Sequence, residues 1–150
     1  MKLFSHGFFY ILLLGSCTYP CGKSDGFNIN FISYTEQEVS TYTLKKYSKG
    51  SSFSNFIDSM IVDASVISYR QNNDTLEWTS SSSITNLTSD FDYLVLIPAT
   101  GNQYQITEVY EPQQEGRKSS NKIYCVNGIE SCLVNGSKTT LDFNNLYLKK

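Results

Sequence analysis

Asp92-Tyr93-Leu94-Val95-Leu96-Ile97-Pro98 decides how the rest of the chain is read. Leu94–Ile97 is apolar without a break, which suits a central strand. Thr100-Gly101-Asn102 then turns the chain into Gln103–Tyr110, where Tyr104 and Ile106 alternate with Gln105 and Thr107. An unbroken apolar strand predicts that both of its faces are covered. A sandwich strand ordinarily buries only one, so a further segment is required over the other. Phe53–Met60 is the candidate cover, because Phe53, Phe56, Ile57 and Met60 fall at helical spacing.

Outward from that hairpin, short strands alternate with turn signals. Phe27–Tyr34 sets Phe27, Ile29 and Phe31 against Asn28 and Asn30, the period of a strand with one buried face. Val39–Tyr47, rich in Thr and Tyr, is a second strand. Phe53–Ala64 is ambiguous, since its apolar residues have helical spacing while Ile61–Tyr69 is β-branched and suits a strand. A short helix or turn followed by a strand is expected there. Gln71-Asn72-Asn73-Asp74 turns into a strand over Thr75–Thr79, around Trp78. Ser80–Ser83 reads as a loop and Pro112–Asn121 as polar and mobile. Lys122–Val126 and Cys132–Val134 flank Asn127-Gly128, the strongest short hairpin signal. Asn135-Gly136 turns again, and Leu146–Leu148 closes the chain. About eight short strands, with at most one short helix, argue for an all-β antiparallel sandwich over residues 27–150.

Composition sets the outer bounds. A chain of 150 residues, 40% hydrophobic and 17% charged, is one domain with enough apolar surface for a core. Its net charge of −2 offers no basic surface to nucleic acid.

The N-terminus has its own logic. Lys2 supplies a positive charge, Phe8–Leu14 is an apolar run of seven, and Gly15 and Ser16 are small. That order is a secretory signal peptide over residues 1–16, too short to span a bilayer. Leu14-Gly15-Ser16-Cys17 resembles the bacterial lipobox. In lipobox proteins the thiol takes a diacylglycerol, and cleavage leaves the cysteine as a lipidated N-terminus. A plain secretory signal followed by a chance cysteine is the simpler alternative. Lipidation at Cys17 implies anchoring to a membrane without spanning it. Removing residues 1–16 takes away Lys2 and the only histidine, His6, so 11 cations face 14 anions at a net −3. A weakly acidic globule is expected to stand off an anionic bilayer on a flexible tether, residues 17–26.

Three cysteines then remain, Cys21, Cys125 and Cys132, in a compartment that permits disulfides. An Asn127-Gly128 hairpin puts Cys125 and Cys132 on one face, diagonally; a looser loop lets them bond, and this pair is expected, with Cys21 left in the tether. No histidine and no Cys-x-x-Cys survive in the mature chain, so no ordinary zinc set and no cofactor site is expected.

Asp92-Tyr-Leu-Val-Leu-Ile-Pro98, Tyr104-Gln-Ile-Thr107 and Cys132-Leu-Val-Asn-Gly136, together with the lipobox, resemble a family of small envelope lipoproteins of Bacteroidota. The resemblance implies an immunoglobulin-like β-sandwich, anchored in the cell envelope at the outer membrane of a Gram-negative bacterium. It implies no catalytic residues. Asp58-Ser59-Met60 and Asp74-Thr75-Leu76 also resemble the O-glycosylation triplets of that phylum, which points to Ser59 and Thr75.

Constellations that would carry chemistry are thin. Without a mature histidine no Ser-His-Asp or Cys-His pair forms. Lys45, Lys46 and Lys49 read as solvated edge charges. Asp90 and Asp92 read as a turn before a strand, with calcium as the sharper alternative. Aromatic residues are the one excess, at 14% with 11 Tyr. Tyr42, Tyr47, Tyr69, Trp78, Tyr104 and Tyr110 lie on or beside the expected strands. Core packing is their ordinary use, and an outward row would instead stack on sugars or form an interface. The leading expectation is a non-catalytic, membrane-anchored lipoprotein that binds a protein or glycan partner. The alternatives are a small carbohydrate-active hydrolase, which needs two carboxyl groups roughly 5–9.5 Å apart across a cleft, and a fimbrial or envelope-complex subunit.

Overall fold

The structure is a computed structural model that describes residues 19–20, 22–63, 67–72, 75–80, 82–112, 115–119, 122–124 and 128–150. In chain order its strands are β1 (Tyr19–Pro20), β2 (Asn28–Ile32), β3 (Thr41–Ser48), β4 (Phe56–Asp63), β5 (Ile67–Asn72), β6 (Thr75–Ser80) and β7 (Phe91–Ile97). They continue with β8 (Asn102–Tyr110), β9 (Glu115–Ser119), β10 (Lys122–Tyr124), β11 (Ser131–Val134), β12 (Ser137–Thr140) and β13 (Asn145–Lys149). Two single-turn helices, α1 (Glu36–Val39) and α2 (Ser82–Thr85), interrupt them.

The strands form an all-β sandwich. A six-stranded sheet has the order β12-β11-β8-β7-β3-β4, and a four-stranded sheet has the order β13-β2-β6-β5. A small third sheet has the order β1-β9-β10. Every pairing is antiparallel except β13 with β2, so the last strand runs parallel to the first long one. The two ends of the domain are thereby joined in one sheet.

Alternation explains the core. On β2, Ile29 and Phe31 are fully buried, and β13 adds Leu146 and Leu148 beside them. The six-stranded sheet presents Tyr42, Leu44, Val62, Tyr93, Val95, Ile97 and Ile106 to the same cluster. Phe31 meets Tyr42 across the two sheets at 5.0 Å between ring centroids, edge to face. Three polar side chains form a relay. Asn102 donates to the Tyr34 hydroxyl at 2.7 Å, Tyr34 donates to Tyr104, and Tyr104 donates to the Lys149 carbonyl at 2.7 Å. The relay ties β13 to the facing sheet while leaving these hydroxyls satisfied. Burial first, and then the bond from Tyr34, pushes the Tyr104 hydroxyl far above its ordinary value.

Several expectations are corrected. Strand β7 is buried on one face only. Tyr93, Val95 and Ile97 are inside, whereas Leu94 and Leu96 on the opposite face are half-buried. The stretch expected to cover that face, Phe53–Met60, is neither a helix nor a cover: residues 51–55 make the turn, and Phe56–Asp63 is a strand beside β3. The Ser80–Ser83 loop contains a helical turn instead, and the polar Pro112–Asn121 segment contains strand β9. The pairing expected between Lys122–Val126 and Cys132–Val134 is not found among the described residues: β10 pairs with β9, and both edges of β11 are occupied by β8 and β12, while the turn residue Asn127 lies outside the described residues. The second Asn-Gly signal holds. Asn135 and Gly136 have φ of 49° and 80°, the left-handed pair that a tight hairpin turn requires, between β11 and β12.

The tether is corrected as well. Tyr19 and Pro20 pair with Gly116 and Glu115 of β9. Lys23 is ion-paired with Asp90, and the Ser24 amide donates to Glu111. Phe27 donates to the Leu87 carbonyl at 3.0 Å. At residues 19–20 and 23–24, the segment expected to be a free spacer is laid along the domain.

The one-sided burial of β7 predicts an asymmetry between neighbours. Ile97→Ala removes a side chain 1% exposed and should cost about 2–5 kcal/mol. Leu96→Ala, on the half-buried face, should cost about 1 kcal/mol. Urea unfolding midpoints of the two variants check this, and equal losses would show the outer face to be covered.

Candidate binding surface

The outer face of the six-stranded sheet is built from the residues that alternate away from the core. Cross-strand register sets Ile61, Thr43, Leu96 and Gln103 in one row across β4, β3, β7 and β8. Ser59, Lys45, Leu94 and Gln105 form the next row. One end of this face is closed. Phe53 lies edge to face on Tyr47 at 5.1 Å and Phe56 lies on the same ring at 5.7 Å. Ser52 and Phe53 adopt left-handed φ of 51° and 61° to place that ring, a strained conformation for non-glycine residues. The Gly50 amide donates to the buried carboxylate of Asp92 at 2.8 Å and fixes the turn beneath.

The other end is open. Strand β4 is the edge of the sheet, and no strand pairs with its free side among the described residues. It carries Phe56, Ile57 and Ile61 at 55%, 46% and 72% exposure. Across β3 from them, on β7, stand the half-buried Leu94 and Leu96. An eight-residue edge strand with three exposed apolar side chains is a template for pairing with another chain, and few features on it oppose that pairing. Asp58 and Asp63 are its only charges.

Lys45 and Lys46 were expected on an edge, but β3 is an interior strand. Lys46 sits 4.9 Å over the Phe91 ring, and Lys49 donates to the Ser89 and Val109 carbonyls at 2.8 and 2.7 Å. Asp90 and Asp92 do not converge as calcium ligands, since Asp90 pairs with Lys23 and Asp92 accepts from Gly50. Among the described residues no group of three His, Cys, Asp or Glu side chains is placed to hold a metal ion. Among the side chains described, the aromatic residues singled out do not form an outward row, and the side chain of Tyr69 lies outside that description. Tyr42, Tyr47 and Tyr104 are buried, Trp78 is half-buried against the core, and Tyr110 is exposed.

An open depression of about 430 Å³ lies where β8 and β11 fall out of register, lined by Lys49, Glu108, Tyr110, Cys132, Leu133 and Lys138. Glu108, at a φ of 49°, forms the bulge. Cys132 at its floor is a free thiol, 2% exposed, and burial pushes its pKa up to about 12. A thiol held protonated at neutral pH is a packing group and a poor nucleophile. Its expected partner Cys125, and with it the Cys125–Cys132 bridge, lies outside the described residues, as do Cys17 and Cys21. Ser59 is exposed on β4, and Thr75 opens β6. No helix among the described residues is long and apolar enough to cross a membrane.

Sequence reasoning missed the β4 surface because helical spacing disguised it. The signal that would have found it is the β-branched run Ile61-Val62, which reaches back into the same segment. Compared with known proteins, the chain matches no family model, no curated protein and no solved structure.

Proposed function

We propose that this chain is a non-catalytic envelope lipoprotein, anchored through Cys17, that binds a protein partner along strand β4 and the adjoining outer face. The observation that carries the partner reading is the free edge of β4 with Phe56, Ile57 and Ile61 exposed on it. An incoming strand would gain main-chain hydrogen bonds from the edge and side-chain contacts from that apolar surface. The lipobox residues Leu14–Cys17 support the anchor. The immunoglobulin-like variety of sandwich remains part of the same proposal. A glycan partner has less support, since Tyr42, Tyr47 and Tyr104 are buried and the described side chains include no aromatic row for sugars to stack on.

The same edge supports a second reading, a structural subunit of an envelope assembly. There the partner is another copy or a neighbouring subunit. Both readings conflict with an O-glycan on Ser59, which would stand on the same strand.

The test is capture from detergent-solubilised envelopes of the producing cell, comparing the wild type with Ile61→Lys and Phe56→Lys. Ile61 is exposed, so the fold should tolerate Ile61→Lys within about 0.5 kcal/mol, whereas Phe56→Lys also gives up the edge-to-face contact with Tyr47 and should cost about 1 kcal/mol. A protein retained by the wild type and lost from both variants is the expected result. Retention of the same proteins by all three removes β4 as the binding edge. Self-association of the purified chain, abolished by the same variants, selects the structural-subunit reading.

A further inference from the structure

We infer that strand β4 pairs antiparallel with β4 of a second copy of this chain, in the register that sets Ser59 opposite itself, and that the Asp58 carboxylate keeps this pairing weak. The inference rests on the reading of β4 as a binding edge and goes beyond it by naming the occupant.

Backbone, side chains and charge all select that register. The Ser59 amide donates to the Asp58 carboxylate at 2.7 Å. A neighbouring side chain on the same strand reaches that N–H only if it is turned away from β3. Residues two apart share this direction, so Ser59 and Ile61 offer their N–H and C=O groups to the free edge. Around Ser59 the strand has similar polarity in both directions, with Ile57 and Ile61 two residues away and Phe56 and Val62 three. A two-fold axis at Ser59 therefore sets Ile61 opposite Ile57 of the second copy. Directly opposite side chains share a face, so Ile61, 72% exposed in the single chain, joins the cluster that Phe56 forms on Tyr47 of the second copy. The anions fit the same axis, because Asp58 falls opposite Met60 and Asp63 opposite the amide side chain of Asn55. Moving the axis to residue 58 sets two Asp58 carboxylates against each other. Moving it to residue 60 sets the isoleucines against Ser59 and Asp63. The far edge strand of the sheet, β12, is no better a partner: it is four residues long and polar, and it would leave Phe56, Ile57 and Ile61 uncovered.

Asp58 is the restraint on this edge. Its carboxylate must release the Ser59 N–H to the Ser59 carbonyl of the second copy. The two Asp58 residues then stand diagonally across the axis, with Cα atoms about 8 Å apart. A charge that opposes pairing in this way is the usual protection of an edge strand.

The experiment is sedimentation equilibrium of the mature chain, kept free of lipid as Cys17→Ala. One strand and its flanking side chains bury less than about 1,200 Å², so a monomer–dimer equilibrium is expected on the order of 10–100 μM. Asp58→Asn should tighten it severalfold, and Ile61→Lys should abolish it. Single cysteines in a Cys21→Ser, Cys125→Ser background read the register. Ser59→Cys should give a covalent dimer on mild oxidation, since opposed hydrogen-bonded residues have Cα atoms about 5.5 Å apart, within the span of a disulfide. Lys45→Cys, one strand inward and about 14 Å from its copy, should not. A chain that stays monomeric at millimolar concentration overturns the inference. If envelope capture is still lost in Ile61→Lys, β4 then binds a different protein and only the second copy fails; if capture also survives Ile61→Lys, the β4 reading fails with it. Species that grow beyond a dimer show head-to-tail pairing with β12 and overturn the dyad. Equal cross-linking at residues 45 and 59 overturns the register, and an Asp58→Asn chain that associates no more tightly than its parent overturns the restraint.

Discussion

Phe31→Ala should remove about 3–5 kcal/mol of unfolding free energy, the largest loss expected of any single core truncation here. Phe31 is fully buried and stands where three strands meet, opposite Trp78 of β6 on one side and Leu148 of β13 on the other. Its ring also reaches Tyr34 at 5.9 Å and Tyr42 at 5.0 Å, the latter on the facing sheet. Deleting it costs transfer free energy, two edge-to-face contacts and a cavity that rigid strands on both sides hold open. Domains of this size are stable by about 5–15 kcal/mol, so the variant should be marginal, with a midpoint lower by roughly 10–20 °C. Thermal and urea unfolding followed by circular dichroism measures it. A midpoint within two or three degrees of the wild type would mean that the two sheets do not pack through this ring.

Cys17→Ser should abolish membrane anchoring altogether. Burying acyl chains contributes about 0.8 kcal/mol per methylene, on the order of 10 kcal/mol for each long chain, and two or more hold a protein stably where one does not. The variant should therefore leave the membrane fraction in a high-salt wash, while the wild type stays. The intact mass of the wild type should equal residues 17–150 plus its acyl groups. A mass equal to all 150 residues, or a cut elsewhere with no added lipid, would overturn the anchor.

Much of the fold was legible from local pattern. Period-two alternation located β2 and β8, the apolar run located β7, and Asn135-Gly136 located the β11–β12 turn from its need for left-handed φ. These are places where one residue's environment depends on its immediate neighbours. Segment 53–64 misled because an edge strand with one covered face keeps several apolar residues outside, and the register shift between Lys46 and Tyr47 brings Phe56 opposite Tyr47 while breaking alternation at Ile57. Its apolar residues then fell at helical spacing by coincidence. The polar strand β9 misled for the opposite reason. It is specified by backbone pairing with β1 and β10, and its composition carries no periodic signal.

By itself, then, the sequence determined the all-β class and most of the main strands of the two large sheets. Alternation and turn chemistry are written in adjacent residues. Only the tertiary structure decided which edges pair. It put β13 parallel beside β2, filled both edges of β11 so that β10 could not pair with it, left β4 open, and drew Tyr19 onto β9. Strand pairing is a competition among distant backbone edges with nearly identical hydrogen-bonding groups, and the outcome depends on which side chains fit against the facing sheet. No local reading contains that competition, and it is the step that leaves the β4 edge open.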